Sequence, residues 1–410
     1  MKKVLVFLVV LSVTLSLFAS GATEDGGYKG VTNTPFATSL PDDSDSLSHK
    51  LHVSPASLAD NKLIIQLPSI ALDGYNVAKT ISKPSVAEAV SNMMKFKFSK
   101  EDIVRFAVGI IENVGSGYNS IVSSTVEAGA AINHFAFGVD AVVVAKSMPA
   151  FKPGTEEIPS GDDGPQGIAK TGVVPMFDLA LTAAYGTRVL DMGSMFLNAG
   201  VAVRYVRRSY ITQLSASRVI DEGLDLANSG ARGGFAVPFD LDVDFGILNG
   251  DIKLSLSANN LNGYFYMAKY ANFVDGLAET DGTDPYKVYT PWSLNLGVEI
   301  SHDWSFIAPK LTIGFEDILG YLDQIHEDDA LMKKGKEIFR YLTFRADIRL
   351  VRFIKLNAAF SHGYLSFGGA LDFSGNSIEL SYGYHEAGYY YGMKPVDTLT
   401  LRIKLGFDKN

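Results

Sequence analysis

The sequence predicts an all-β fold with a small helical insert: a closed antiparallel β-barrel of about fourteen strands that spans an outer membrane. Three observations carry this expectation. Many segments place apolar residues at every second position. The connections between them alternate between short and long. An export signal opens the chain, and no later window of 18 residues is uninterruptedly apolar.

Composition narrows the classes. The 410 residues are 47% hydrophobic, 11% aromatic and 20% charged, with 39 Gly, 25 Phe and 19 Tyr but only 2 Trp. Such a profile suits Gly-kinked, aromatic-rich strands. The chain has no cysteine, which excludes disulfides, Cys-ligated zinc or iron–sulfur centres and a cysteine nucleophile. With 36 basic and 45 acidic residues the net charge is −9, the wrong sign for a nucleic-acid binder.

The first residues read as an address. Lys2 and Lys3 precede the uncharged run Val4–Phe18, and Ala19-Ser20-Gly21-Ala22 supplies small residues for cleavage. The run is shorter than the roughly 18–20 residues a membrane helix needs. Residues 1–20 are thus expected to be a signal peptide, 21–53 a flexible segment, and 54–410 the barrel. The apolar stretch Ile103–Val114 is interrupted by Arg105 and Glu112 and does not span a membrane as a helix.

Alternation is cleanest in three places. Leu241, Val243, Phe245 and Ile247 interleave with Asp240, Asp242, Asp244 and Gly246. Leu342, Phe344, Ala346, Ile348 and Leu350 interleave with Thr343, Arg345, Asp347 and Arg349. Near the end Leu399, Leu401, Ile403, Leu405 and Phe407 interleave with Thr400, Arg402, Lys404 and Gly406. A helix would smear these charges around its whole surface, so a period of two is the better description. Strands are expected at about 62–72, 121–131, 134–146, 174–189, 194–210, 236–247, 251–259, 291–302, 308–316, 340–350, 354–361, 364–373, 377–385 and 397–407.

Every second connection is short, as at Leu248-Asn249-Gly250 and Ser374-Gly375-Asn376, whereas about 147–173, 211–235, 260–290 and 317–339 are long. Short periplasmic turns and long outer loops are the rule for an even-stranded barrel. The link at His362-Gly363 breaks the alternation. Between the first two strands, Ser85-x-x-Glu88 after Pro84 and the helical spacing of Ile103, Phe106, Ala107, Ile110 and Ile111 predict two helices within about 85–113. They either plug the lumen or form an ordinary loop excursion.

Candidate chemistry is sparse. Asp240, Asp242 and Asp244 share a face with second-neighbour spacing of about 7 Å and are expected to line the lumen. Arg204, Arg208, Arg345, Arg349, Arg402 and Lys404 fall on inner faces and are their candidate counter-charges. The row is either a charge lattice that holds the lumen shut or a polar path or gate. An EF-hand does not fit, because Phe245 stands where the loop requires Gly. No His-Glu-x-x-His, Gly-x-Ser-x-Gly or phosphate-loop pattern occurs, so neither an enzyme, a cofactor nor a metal site is expected. His49 and His52 have i, i+3 spacing but fall in the polar N-terminal segment. Tyr264-Phe265-Tyr266 and Tyr389-Tyr390-Tyr391, near strand ends, are expected to form an interfacial girdle.

Several segments carry a family resemblance. Ser54-Pro55-Ala56-Ser57-Leu58-Ala59-Asp60 before the first strand resembles the Asn-Pro-Ala start of FadL-like outer-membrane proteins, with Ser54 in place of Asn. Asp240–Gly246 followed by Ser257–Leu261 is similar to a strand pair of the PorV-like and TraF-like branches. Arg345–Leu350, Asn357–Tyr364, Phe367–Leu371, Ser381–Tyr384 and Glu386–Tyr390 also match, and the resemblance covers most of 54–407. It implies a fourteen-stranded barrel surrounded by outer-membrane lipid. Leu401, Ile403, Leu405 and Phe407 resemble the terminal signal read by the barrel-assembly machinery, although Asp408-Lys409-Asn410 follow. Two roles remain open: passive transport or binding of a small, hydrophobic ligand, or a PorV-like envelope or secretion-associated interaction role without transport.

Overall fold

The computed structural model describes residues 47–52, 54–61, 63–75, 82–84, 87–88, 119–149, 171–211, 230–278, 282–290, 292–302, 304, 307–327, 337–350, 353–373, 376–386 and 395–409. Among the described residues, seventeen strand segments form one antiparallel sheet. The sheet closes because β1 (Leu63–Tyr75) pairs on one side with β2 (Asn119–Ile132) and on the other with the last strand, β17 (Pro395–Lys409). Between these run β3 (Phe135–Pro149), β4 (Thr171–Asp191) and β5 (Met195–Ile211). β6 (Ala231–Ala236) and β7 (Phe239–Ile247) both pair with β5 and are two halves of one stave. Their partners β8 (Ile252–Leu261) and β9 (Tyr264–Tyr270) make the next stave, and β11 (Ser293–Ser301) with β10 (Thr283–Tyr289) the one after. β12 (Ile307–Phe315), β13 (Leu342–Leu350), β14 (Ile354–Ser361), β15 (Tyr364–Phe373) and β16 (Asn376–Glu386) complete the circle. Three divided staves reduce seventeen segments to fourteen, the expected number.

The alternation resolves into two faces. In β7, Asp240, Asp242 and Asp244 are buried inside, whereas Leu241 is 47% and Val243 40% exposed outside. Phe344, Ile348, Leu405 and Phe407 are likewise exposed on the outer surface. So are Phe137, Leu181, Leu256, Leu311, Leu356, Phe367 and Leu380 on strands around the barrel. An apolar belt of this extent requires hydrocarbon rather than water around it. The described helices include none long and apolar enough to cross a membrane; the strands do the crossing.

Both ends of the sheet, at Leu63 and Lys409, lie at the end bearing the short turns. That end is periplasmic in an even-stranded barrel. The link at His362-Gly363 is a genuine two-residue hairpin at the outer end, with φ of 53° and 87°. Positive φ at both central positions is what a twisted tight hairpin needs. The wall is uneven in height: β4 has 21 residues and β14 has 8.

The staves break where the backbone ladder fails. Pro238 has no N–H to give, and Asn260 and Asn262 adopt left-handed conformations with φ of 62° and 59°. Asparagine amides repair the gaps: Asn262 donates to the carbonyl of Val237 (3.1 Å) and Asn260 to that of Thr290 (3.2 Å). Beyond the breaks, β6, β9 and β10 continue outward through residues whose composition predicts loops.

Helices are few among the described residues. The main ones are α1 (Leu47–His52), α2 (Phe273–Ala278) and α3 (Ile318–Glu327), with a 3-10 turn at Pro55–Asp60. Residues 47–52, which the sequence placed in a flexible lead-in, are helical because Leu47 and Leu51 find an apolar seat inside the barrel. The segment 1–20, expected to be a signal peptide, and Tyr389–Tyr391 lie outside the described residues. So does the insert expected at about 85–113, except for Ala87 and Glu88, which are helical.

Candidate functional site

The N-terminal segment, α1 with the 3-10 turn, lies within the periplasmic half of the lumen as a plug. Its seat is made of backbone. Gly129 of β2, Gly138 of β3, Gly186 of β4 and Gly200 of β5 turn their missing side chains toward it. A Cβ on Gly138 would come within 2.4 Å of Leu51, and one on Gly186 within 2.2 Å of the Pro55 carbonyl. Leu47, Leu51 and Leu58 of the plug pack with Ile64, Ala131, Ala136, Ala184 and Ala202 of the wall. Burying three leucines is worth several kcal/mol at roughly 1.5–3 kcal/mol each.

Polar bonds fix the plug's register. Ser54 Oγ lies 2.6 Å from Asp242 Oδ2 and 3.3 Å from Asp244 Oδ2, and Ala56 N donates to the same Asp242 oxygen (3.2 Å). His52 Nε2 meets Asp140 at 2.8 Å. Asp60 accepts from Arg188 (2.5 Å) and from the Asn198 amide (3.1 Å). Burial disfavours a charged His52, and Arg204 adds to that. The Asp140 carboxylate, with Glu127 behind it, outweighs both and raises the ring's pKa above the usual histidine value.

Above the plug lies a charged rung. Arg204 donates to Asp240 at 2.7 Å, and Asp240 Oδ1 also accepts from Asn260 N at 2.6 Å. Arg208 grips Asp178 with two bonds of 2.7 and 2.6 Å and lies over the Phe265 ring, 4.6 Å from its centroid. Nearer the outer end, inner-face side chains become apolar: Val142, Val144, Met176, Val206, Phe265 and Met267 cluster beside Tyr210 and Tyr286. The opposite wall, β11 to β17, is polar and half-exposed. Lys253 and Lys310 pair with Glu299, Arg345 with Asp347, Lys355 with Asp372, and Arg402 with Glu379.

Of the six residues expected at the lumen, Arg204, Asp240, Asp242, Asp244 and Arg345 are buried and Arg349 is half-buried, and they do not form one group. Arg204 and Asp240 meet, while Asp242 and Asp244 hold the plug. Arg345 bonds Asp347 of its own strand, and Arg349 stands opposite Ala308 and Lys355 on the far wall. Tyr264 and Tyr266 are exposed on the outside, as a girdle requires, and Phe265 between them points inward. The outward ring stack Tyr205–Phe235–Tyr266 extends that girdle across three strands. Sequence reasoning missed His52, Asp60, Asp140, Asp178 and Arg188. The inner-face glycines of four consecutive strands were the one signal that something sits against the wall.

Solved structures similar to the chain share its barrel form. The P. putida toluene transporter TodX is 11% identical over 88% of this chain and 94% of that one, with a TM-score of 0.41. The chain resembles FadL-type barrels. A P. aeruginosa FadL homologue is 11% identical over 95% and 100% of the two chains, with a TM-score of 0.38. The CymD monoaromatic hydrocarbon channel is 11% identical over 96% and 98%, with a TM-score of 0.42. No family model and no curated protein matches the sequence. The strand count and closure given above rest on this chain's own hydrogen bonds.

Proposed function

We propose that the protein is an outer-membrane channel for a small solute, with the N-terminal plug as its gate. The observation that carries the reading is the plug itself, a separate segment held inside the barrel on a glycine seat by a few polar bonds. A wall meant only to be closed can fill itself with large side chains; one that leaves backbone bare has room for a part that moves. The inner surface grades from apolar near the outer end to charged above the plug. That gradient suits a solute with an apolar body and a polar end, captured outside and released on the periplasmic side once the plug shifts. The charged far wall keeps a wetted surface alongside it. On this reading residues 1–20 direct export, and β17, with Leu405 and Phe407 facing outward, is the segment the assembly machinery recognises.

Planar-bilayer conductance and liposome swelling test the proposal. A Cβ at Gly200 would sit 2.2 Å from Ala56 N, so Gly200→Leu forces the plug off its seat. Conductance is expected to rise several-fold over the wild type. A barrel that assembles normally and admits no solute with its plug displaced removes the channel reading. It would leave the envelope-interaction role, whose mark is co-purified secretion partners.

A further inference from the structure

The plug's polar contact with the wall is one hydrogen short. Ser54 Oγ lies within bonding distance of both Asp242 Oδ2 and Asp244 Oδ2. A serine hydroxyl donates one hydrogen and accepts through its lone pairs. With both carboxylates ionised, one of them would face a lone pair. Both aspartates are almost wholly buried, and the Oδ1 atom of each lacks a partner among the described residues. The neighbouring inner acids differ: Asp240 has Arg204, Asp178 has Arg208 and Asp140 has His52.

No ion pair is formed by Asp242 or Asp244 among the described residues, and Lys253 is the cation that attracts both from a distance. From β5 they face Gly200 and Asn198, and from β8 Ser257 and Ser255. Lys253 lies further along β8 and is engaged with Glu299 of β11. Asp60 of the plug adds negative charge, though Arg188 pairs with it. Two buried like charges sharing one donor are costly, and a single proton resolves the conflict. Asp244 then donates to Ser54 Oγ, Ser54 donates to Asp242, and the ionised Asp242 also accepts from Ala56 N.

We propose that Asp244, Ser54 and Asp242 form a one-proton latch, so that seating the plug takes up a proton and raising the pH loosens it. In the unseated plug both carboxyls meet water and are ionised above their ordinary pKa of about 4. The seated form binds one more proton, so acid favours seating, and the preference fades as pH rises through the latch's titration. That the latch governs passage rests on the channel reading above; the latch itself does not.

The experiment is amide hydrogen exchange on the full-length protein in nanodiscs from pH 5 to 9, corrected for intrinsic rates and read on residues 54–61. Protection is expected to fall with rising pH, by up to about tenfold per unit for one proton. His52→Gln removes the other titrating contact and should leave this fall in place. Asp244→Asn, made in the His52→Gln background, keeps a donor for Ser54 Oγ and leaves neither contact to titrate, so its plug stays protected and flat across the range. Ser54→Ala breaks the relay and, in the His52→Gln background, should bring protection at pH 5 down to the level that His52→Gln alone shows at pH 9. Flat protection in His52→Gln overturns the latch, as does a fall that persists when Asp244→Asn is added to it. So does protection at pH 9 that calcium restores and a chelator abolishes, which would make the pair a metal site. Conductance recorded in parallel separates the two ideas: a barrel that conducts nothing yet shows this profile loses the channel reading and keeps the latch.

Discussion

Arg208 and Asp178 illustrate how much a single buried pair carries. Both side chains are at most 3% exposed, and two hydrogen bonds join them. Removing one partner strands the other charge in a dry wall, at a cost of about 3–5 kcal/mol. Arg208→Met is therefore expected to lower the urea midpoint of the barrel, read by the shift between folded and unfolded bands on unheated gels. Arg208→Met combined with Asp178→Leu should recover most of that loss, because an apolar pair leaves no orphaned charge. His52 behaves differently, since its contact with Asp140 titrates. Its pKa is raised in the seated plug, so this contact contributes fully below the free value of about 6.5 and fades as pH rises through the seated value. The ring's own titration, followed by NMR, should show a midpoint above 6.5 that drops in Asp140→Asn. Neither contact was legible in the sequence, because Asp140 and Asp178 are each flanked by apolar residues and nothing local names their partners.

At the scale of elements, the sequence marked where staves break but not that they continue. Val237-Pro238 and Asn259-Asn260-Leu261-Asn262-Gly263 have turn composition, and the expected strands stopped or started there. In the barrel a stave is kept straight by its neighbours' ladders, so β6, β9 and β10 resume on the far side of the interruption. The same outer region carries α2 on the outside of the wall. Gly276 of α2 approaches Gly233 and Ser209 closely, and Arg207 holds the helix by donating to the carbonyls of Gly276 and Leu277. A Cβ at Gly276 would already lie 2.9 Å from Ser209 Oγ. Gly276→Val should lift α2 and expose residues 271–278 to protease at least several-fold faster, with the barrel's heat-dependent gel shift unchanged. Equal cleavage rates would mean that the close approach does not hold the helix down.

At the scale of the molecule, the closed cylinder was readable because alternation is a property of every strand and lipid enforces it all the way round. What fills the cylinder was not readable, since a plug is chosen by the shape of the lumen and not by a repeating pattern. The belt's physical claim can be tested on two adjacent residues of β12. Leu311 is 41% exposed on the outer face, near the middle of its strand. Thr312 points inward, between Glu299 and Arg345 on its two neighbours. If hydrocarbon surrounds the belt, Leu311→Arg puts a guanidinium into it at a cost of about 2–4 kcal/mol near the midplane. Thr312→Lys places its charge beside Glu299 in the wetted lumen and should cost a small fraction of that. Refolding into bilayers, with the folded fraction titrated in urea, measures both. A soluble sandwich whose dry core lay on the opposite face would invert the order, with Thr312→Lys the damaging change and Leu311→Arg the tolerated one.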